Sequence, residues 1–138
     1  DFAAAVASDR EALRRGANGY GVHNRLAWHL ATKLGQPKAA LPHAQTAARI
    51  KPQSAETQHT LGWCLFLNGK PKESLRFLES AARASPKSPA RRYTLAAALA
   101  QLGQTDRAKR EVGIALQLAE DFEFAEEARE LRAKLARR

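Results

Sequence analysis

At 138 residues the chain is the size of one domain and long enough to bury a core without disulfide or metal staples. Its single cysteine, Cys64, excludes an internal disulfide, and no apolar run approaches the roughly 20 residues that cross a bilayer. The formal net charge of +9 is unevenly spread: no acidic residue lies from Ala12 to Ala55, whereas Glu120, Asp121, Glu123, Glu126, Glu127 and Glu130 crowd the other end, which suggests acidic partners for the first half. The chain opens at Asp1 and contains no Met, so it reads as a piece of a longer protein whose targeting signals lie elsewhere and whose compartment stays open.

In chain order, residues 1–15, DFAAAVASDREALRR, read as a helix and GANGYG as a loop. Helices follow near 21–34, 37–50, 55–68, 71–84, 89–102 and 105–118, placed by small and apolar residues at offsets of three and four. Glycines at 35, 69 and 103 recur every 34 residues and end the first helix of each pair, where a left-handed cap costs glycine little. Pro37 and Pro71 then open the second helices, at positions where a missing N–H is tolerated. Within those second helices Ala40, Ala44 and Ala47 match Ser74, Leu78 and Ala81, and then Ala108, Val112 and Ala115. Within the first helices Leu26-Ala27 with Leu30 matches Leu61-Gly62 with Leu65 and Leu95-Ala96 with Leu99. The first of these intervals is 35 rather than 34, which places one extra residue between Trp28 and Gly35. A final helix over 122–137 carries Phe124, Ala128, Leu131 and Leu135 along one stripe and charge elsewhere, as the last unit of an array needs to stay soluble.

This pattern resembles the tetratricopeptide repeat (TPR), a motif of about 34 residues folded as two antiparallel helices. The middle unit fits best, with Leu61, Gly62, Ser74, Leu78, Ala81 and Pro86; Gln58 and Arg92 replace the motif's first Trp, and Glu120 replaces the last proline. The resemblance implies an all-α, right-handed α-solenoid of antiparallel helix pairs, with about three repeats between an N-terminal flanking helix and a C-terminal capping helix. The expected boundaries are 1–19 for the second helix of a preceding repeat plus loop, 20–53, 54–87 and 88–121 for the three units, and 122–138 for the cap. The runs NRLAWHLA and TLGWCLFLNG are similar to those in C-terminal repeat arrays of long bacterial TPR proteins. Several of those proteins act in exopolysaccharide production and export or in cell-envelope assembly.

The resemblance also implies a job: binding another protein or peptide, as a scaffold, in a concave groove lined by the first helix of each pair. Its positions here are Asn24, Trp28 and Thr32 from the first unit, His59, Trp63, Phe66 and Leu67 from the second, and Tyr93, Ala97 and Gln101 from the third. Trp28 and Trp63 are equivalent and are expected to be neighbours. The carboxylate clamp by which some TPR proteins hold chaperone tails is not matched at Asn24, Trp28, Thr60, Ala90 and Thr94. Two rival readings stand beside the scaffold. The basic balance, with Arg91-Arg92 beside Tyr93, would suit nucleic-acid backbone contacts plus stacking, and the exposed ends of a cut array would suit self-association. The bland reading is a solvated basic surface with aromatic rings that only thicken the core. An enzyme is not expected. His23, His29, His43 and His59 lack metal-ligand spacing, Cys64 lacks a neighbouring base, and the glycines follow the repeat rather than a phosphate loop. Neither cofactor nor metal is therefore called for.

Overall fold

The computed structural model describes residues 1–138 as eight α-helices without a strand. They are α1 (Phe2–Arg14), α2 (Tyr20–Thr32), α3 (Pro37–Ile50), α4 (Ala55–Leu67), α5 (Pro71–Ala84), α6 (Pro89–Gln101), α7 (Thr105–Leu118) and α8 (Ala125–Ala136). Three hairpins, α2–α3, α4–α5 and α6–α7, stack in sequence order as an α-solenoid, with α1 packed on α2 and α8 on α7. No helix is long and apolar enough to cross a membrane.

Local chemistry sets the ends of these helices. Ser54 and Ser88 accept the Thr57 and Arg91 backbone N–H groups at the starts of α4 and α6. Gly35, Gly69 and Gly103 all take positive φ, of 61°, 78° and 80°. After α4 and α6 the turn closes tightly: Lys70 N–H reaches the Leu65 carbonyl, and Gln104 N–H that of Leu99. After α2 the extra residue widens this turn, and Gln36 N–H reaches one step further, to Leu30. The final helix starts three residues later than its expected first residue, because Phe122–Phe124 form a turn in which Ala125 N–H bonds the Phe122 carbonyl.

Packing follows the repeat. Ala40, Ala44, Ala47, Ser74, Leu78, Ala81, Ala108, Val112 and Ala115 are all fully buried, as are Leu26, Ala27, Leu30, Ala96 and Leu99. One apolar cluster spans α1 to α4 and includes Val6, Leu61, Cys64 and Leu65; a second spans α4 to α8 and includes Trp63, Leu78, Phe124 and Leu135. Helix α4 serves both, which is why almost every residue from Thr57 to Leu65 is buried. Polar ties join the layers. Arg25 grips the buried Asp9 of α1 with contacts from 2.6 to 3.2 Å, Arg92 pairs with Glu111 at 2.8 Å, and Asn68 donates to the Pro37 carbonyl at 2.9 Å.

Candidate functional site

Helices α2, α4 and α6 contribute the ten positions expected to line a common face, and the structure brings those side chains into two linked settings. On α2, Asn24 and Thr32 are half-buried, with the Thr32 hydroxyl donating to the Trp28 carbonyl at 2.6 Å. On α4, Phe66 and Leu67 are half-buried while His59 and Trp63 are buried, and on α6 Tyr93 and Ala97 are buried while Gln101 is exposed. The rings on this face do not stand open to solvent, because Phe124 from the turn before α8 lies among them. Its ring stacks on Tyr93 at 5.1 Å and meets Trp63 and Trp28 edge-on at 5.5 and 6.1 Å. Both tryptophans meet the Phe124 ring; Trp28 also packs on His59 at 5.1 Å, and Trp63 stacks on Phe66 at 4.8 Å.

The polar groups here are held rather than free. His59 Nε2 lies 2.9 Å from the Thr94 hydroxyl, which itself donates to the Arg91 carbonyl, leaving a lone pair for an Nε2–H donor. Burial pushes the His59 pKa down to about 3, with the Arg91 charge adding to the effect, so the ring is neutral near pH 7. Burial likewise pushes the Tyr93 phenol up to about 12, reinforced by Glu127 and Glu130, and the Cys64 thiol up to about 12. A thiol of that kind is a packing group, since the thiolate is the nucleophile. Arg91 and Arg92, which with Tyr93 suggested stacking beside phosphate contacts, are turned inward. Arg91 bonds the Ala81 carbonyl and Ser85 hydroxyl, Arg92 bonds the Pro86 carbonyl and Glu111, and Tyr93 lies under Phe124. His23 and His43 meet through their Nδ1 atoms at 3.2 Å, one donating and the other accepting; no third metal-ligating side chain joins them.

Two clefts flank the Trp28–Phe124 contact. One, of about 430 Å³, is lined by Tyr20, Asn24, Arg25, Trp28, Glu56 and His59 among others, and the buried Asn24 Oδ1 beside it lacks a hydrogen-bond partner. The other, of about 370 Å³, is lined by Thr32, Lys33, Trp63, Phe66, Leu67 and Phe124 among others. The side chains that sequence reasoning missed are Lys33, Glu123 and, as an occupant of this face, Phe124. Phe124 was legible as an apolar stripe residue of the last helix. Its inward reach depends on the turn at 122–124, which has no counterpart earlier in the repeat.

Residues 33–113 match the family model described as anaphase-promoting complex, cyclosome, subunit 3. The chain belongs to this family of tetratricopeptide-repeat proteins. Among solved structures, the TPR array resembles YrrB, described as a TPR protein with an unusual peptide-binding site, at 25% identity and a TM-score of 0.74 over 94% of this chain and 66% of that one. It thus spans about two thirds of the YrrB chain. MamA is similar in fold at 19% identity, with a TM-score of 0.72 over 99% of this chain and 84% of that one. So is the Yersinia enterocolitica type III secretion chaperone SycD, solved with a peptide of the translocator YopD, at 19% identity and a TM-score of 0.66 over 83% and 89%. No curated protein matches the TPR chain.

Proposed function

We propose that this TPR array is a protein-binding module that takes a peptide segment of its partner on the face formed by α2, α4 and α6. The observation that carries this reading is the pair of clefts lined by the aromatic residues of this face, one lined by Asn24, whose buried Oδ1 lacks a hydrogen-bond partner, and the other by Phe66 and Leu67, which are only half-covered. Concave sites that combine aromatic anchors with a few polar groups suit extended peptides, since rings supply contact area and polar atoms fix the backbone. The peptide-binding site of YrrB, a chain of the same fold at 25% identity, supports the reading.

A library of random twelve-residue peptides displayed on phage tests it. The folded protein should enrich binders, and their affinity should fall at least tenfold in Asn24→Ala or Leu67→Asp, two substitutions that reach the separate clefts. Thermal melts of both variants establish that the fold is kept. Enriched peptides whose affinity is unchanged in both variants would place binding elsewhere, and a protein that enriches nothing would end the reading.

A further inference from the structure

The turn before α8 does more than close the array. Glu123 Oε2 accepts the Trp28 indole N–H at 3.1 Å and pairs with Lys33 Nζ at 3.3 Å. These contacts join α2 to a residue 95 positions away in sequence. Next to it Phe124, 8% exposed, is seated against Tyr93, Trp63 and Trp28. An acidic residue followed by an aromatic one is thus already bound on the face assigned to a partner peptide, across the wall between the two clefts. A one-dimensional repeat array has no need of this contact for its stacking, since each unit leans on its immediate neighbours.

The chemistry of the resident segment specifies what the site accepts. The carboxylate meets one N–H donor and one ammonium, and Lys33 belongs to the stretch from Ala12 to Ala55 that contains no acid. The phenyl ring meets one stacked and two edge-on partners, the arrangements that aromatic quadrupoles favour. The polar half of the grip is weak. Both ends of the Lys33–Glu123 pair remain about 30% exposed, and exposed pairs contribute little because water and salt screen them. The turn itself is short and carries the exposed Glu120 and Asp121 beside Glu123, so it would be well solvated once lifted.

We propose that Glu123 and Phe124 form an internal strap that mimics the ligand, and that the partner peptide carries an acidic residue immediately before an aromatic one. Such a peptide displaces the strap, takes over Trp28 Nε1–H, Lys33 and the ring-lined seat, and joins the two clefts into one channel. This rests on the groove reading above and adds to it a ligand class and a competitor built into the chain.

The test uses the full chain and a fluorescein-labelled peptide with the sequence of residues 118–125, LAEDFEFA, alongside a control in which both of its Phe residues are Ala, so that no acidic-aromatic pair remains. Fluorescence anisotropy should show Phe124→Ala protein binding the labelled peptide at least tenfold more tightly than the wild type, and the control peptide at least tenfold more weakly. In Glu123→Gln, which leaves the Phe124 seat intact, the Trp28 indole N–H resonance should move, and saturating peptide should move it back toward its wild-type position. Equal affinity of wild type and Phe124→Ala for the peptide overturns the strap, as does equal binding of the control. If Phe124→Ala is unfolded by circular dichroism, Glu123→Gln decides: a gain of at least threefold in peptide affinity supports the strap and no gain overturns it. Library peptides that depend on Asn24 or Leu67 but bind all strap variants alike would remove the strap and leave the groove standing. Failure of the groove reading would appear separately, as peptides indifferent to Asn24 and Leu67.

Discussion

His59 was expected to reach into a groove and instead links α4 to α6 through the Thr94 hydroxyl, 9% exposed. Sequence position alone could not distinguish these fates, because its partner is contributed 35 residues later. The burial has a consequence for pH. In the unfolded chain this imidazole takes a proton near its usual pKa of about 6.5, whereas in the fold protonation is held off to about pH 3. Its contribution to stability is therefore complete above about pH 6.5 and declines as acid is added, through a window that closes near pH 3. Within that window each pH unit costs about 1.4 kcal/mol. Going from pH 7 to pH 5 should lower the unfolding free energy of the wild type by about 2 kcal/mol more than that of His59→Gln, whose amide can still reach Thr94. Urea melts of both proteins at the two pH values measure this difference, and identical losses would show that His59 is not what acid attacks.

At the scale of the helix, the repeat made most of the fold legible. Residues such as Ala44, Leu78 and Val112 recur at one offset and occupy one buried face, so α3, α5 and α7 begin and end where periodicity and Pro or Gly punctuation place them. The 35-residue first interval likewise appears as a wider turn after α2. What periodicity could not place was the non-repeating part: the 119–124 turn belongs to no helix, and its contact with Trp28 has no local signature. Gly62 shows the limit of the pattern in the other direction. Ala27 and Ala96 occupy the equivalent sites with a methyl group, yet a Cβ on Gly62 would lie 2.8 and 2.9 Å from Leu78 Cδ2 and Cγ and 3.1 Å from Phe77 Cβ. Leu78 is fully buried and has nowhere to retreat. Overpacking of this kind costs about 1–3 kcal/mol, while replacing a helical glycine by alanine returns about 1 kcal/mol of propensity. Gly62→Ala should therefore be net destabilising by about 1 kcal/mol, whereas Gly113→Ala, with open space at its Cβ, should be neutral or stabilising. Parallel chemical denaturation of the two variants checks the contrast, and a stabilised Gly62→Ala would mean that α4 and α5 can move apart at little cost.

Across the whole molecule, two kinds of contact compete to set cooperativity. Neighbour-to-neighbour stacking makes stability a sum of unit and interface contributions, so damage at one end should fade with distance. The Trp28–Glu123 and Trp28–Phe124 contacts run against that rule by linking the first hairpin to the last turn. Ending the chain at Asp121 separates the two. The deletion removes Phe124, Ala128 and Leu135, all buried in the cluster that contains Tyr93, Leu99 and Val112. Losing one large buried side chain from such a cluster already costs about 3 kcal/mol or more, a change of about a hundredfold in local opening. Amide hydrogen exchange should therefore speed up by at least a hundredfold in α6 and α7 and progressively less through α5 and α4. In α2 and α3 the change should be small, because Leu26, Leu30, Ala40 and Ala44 pack in the other cluster, although Trp28 should become more exposed to a fluorescence quencher. A gradient of this form assigns the stability of the array to stacking and leaves the strap as a displaceable contact on its surface. Uniform acceleration from α1 to α7 would instead mean that the strap welds the ends into one cooperative block, too costly for a peptide to lift.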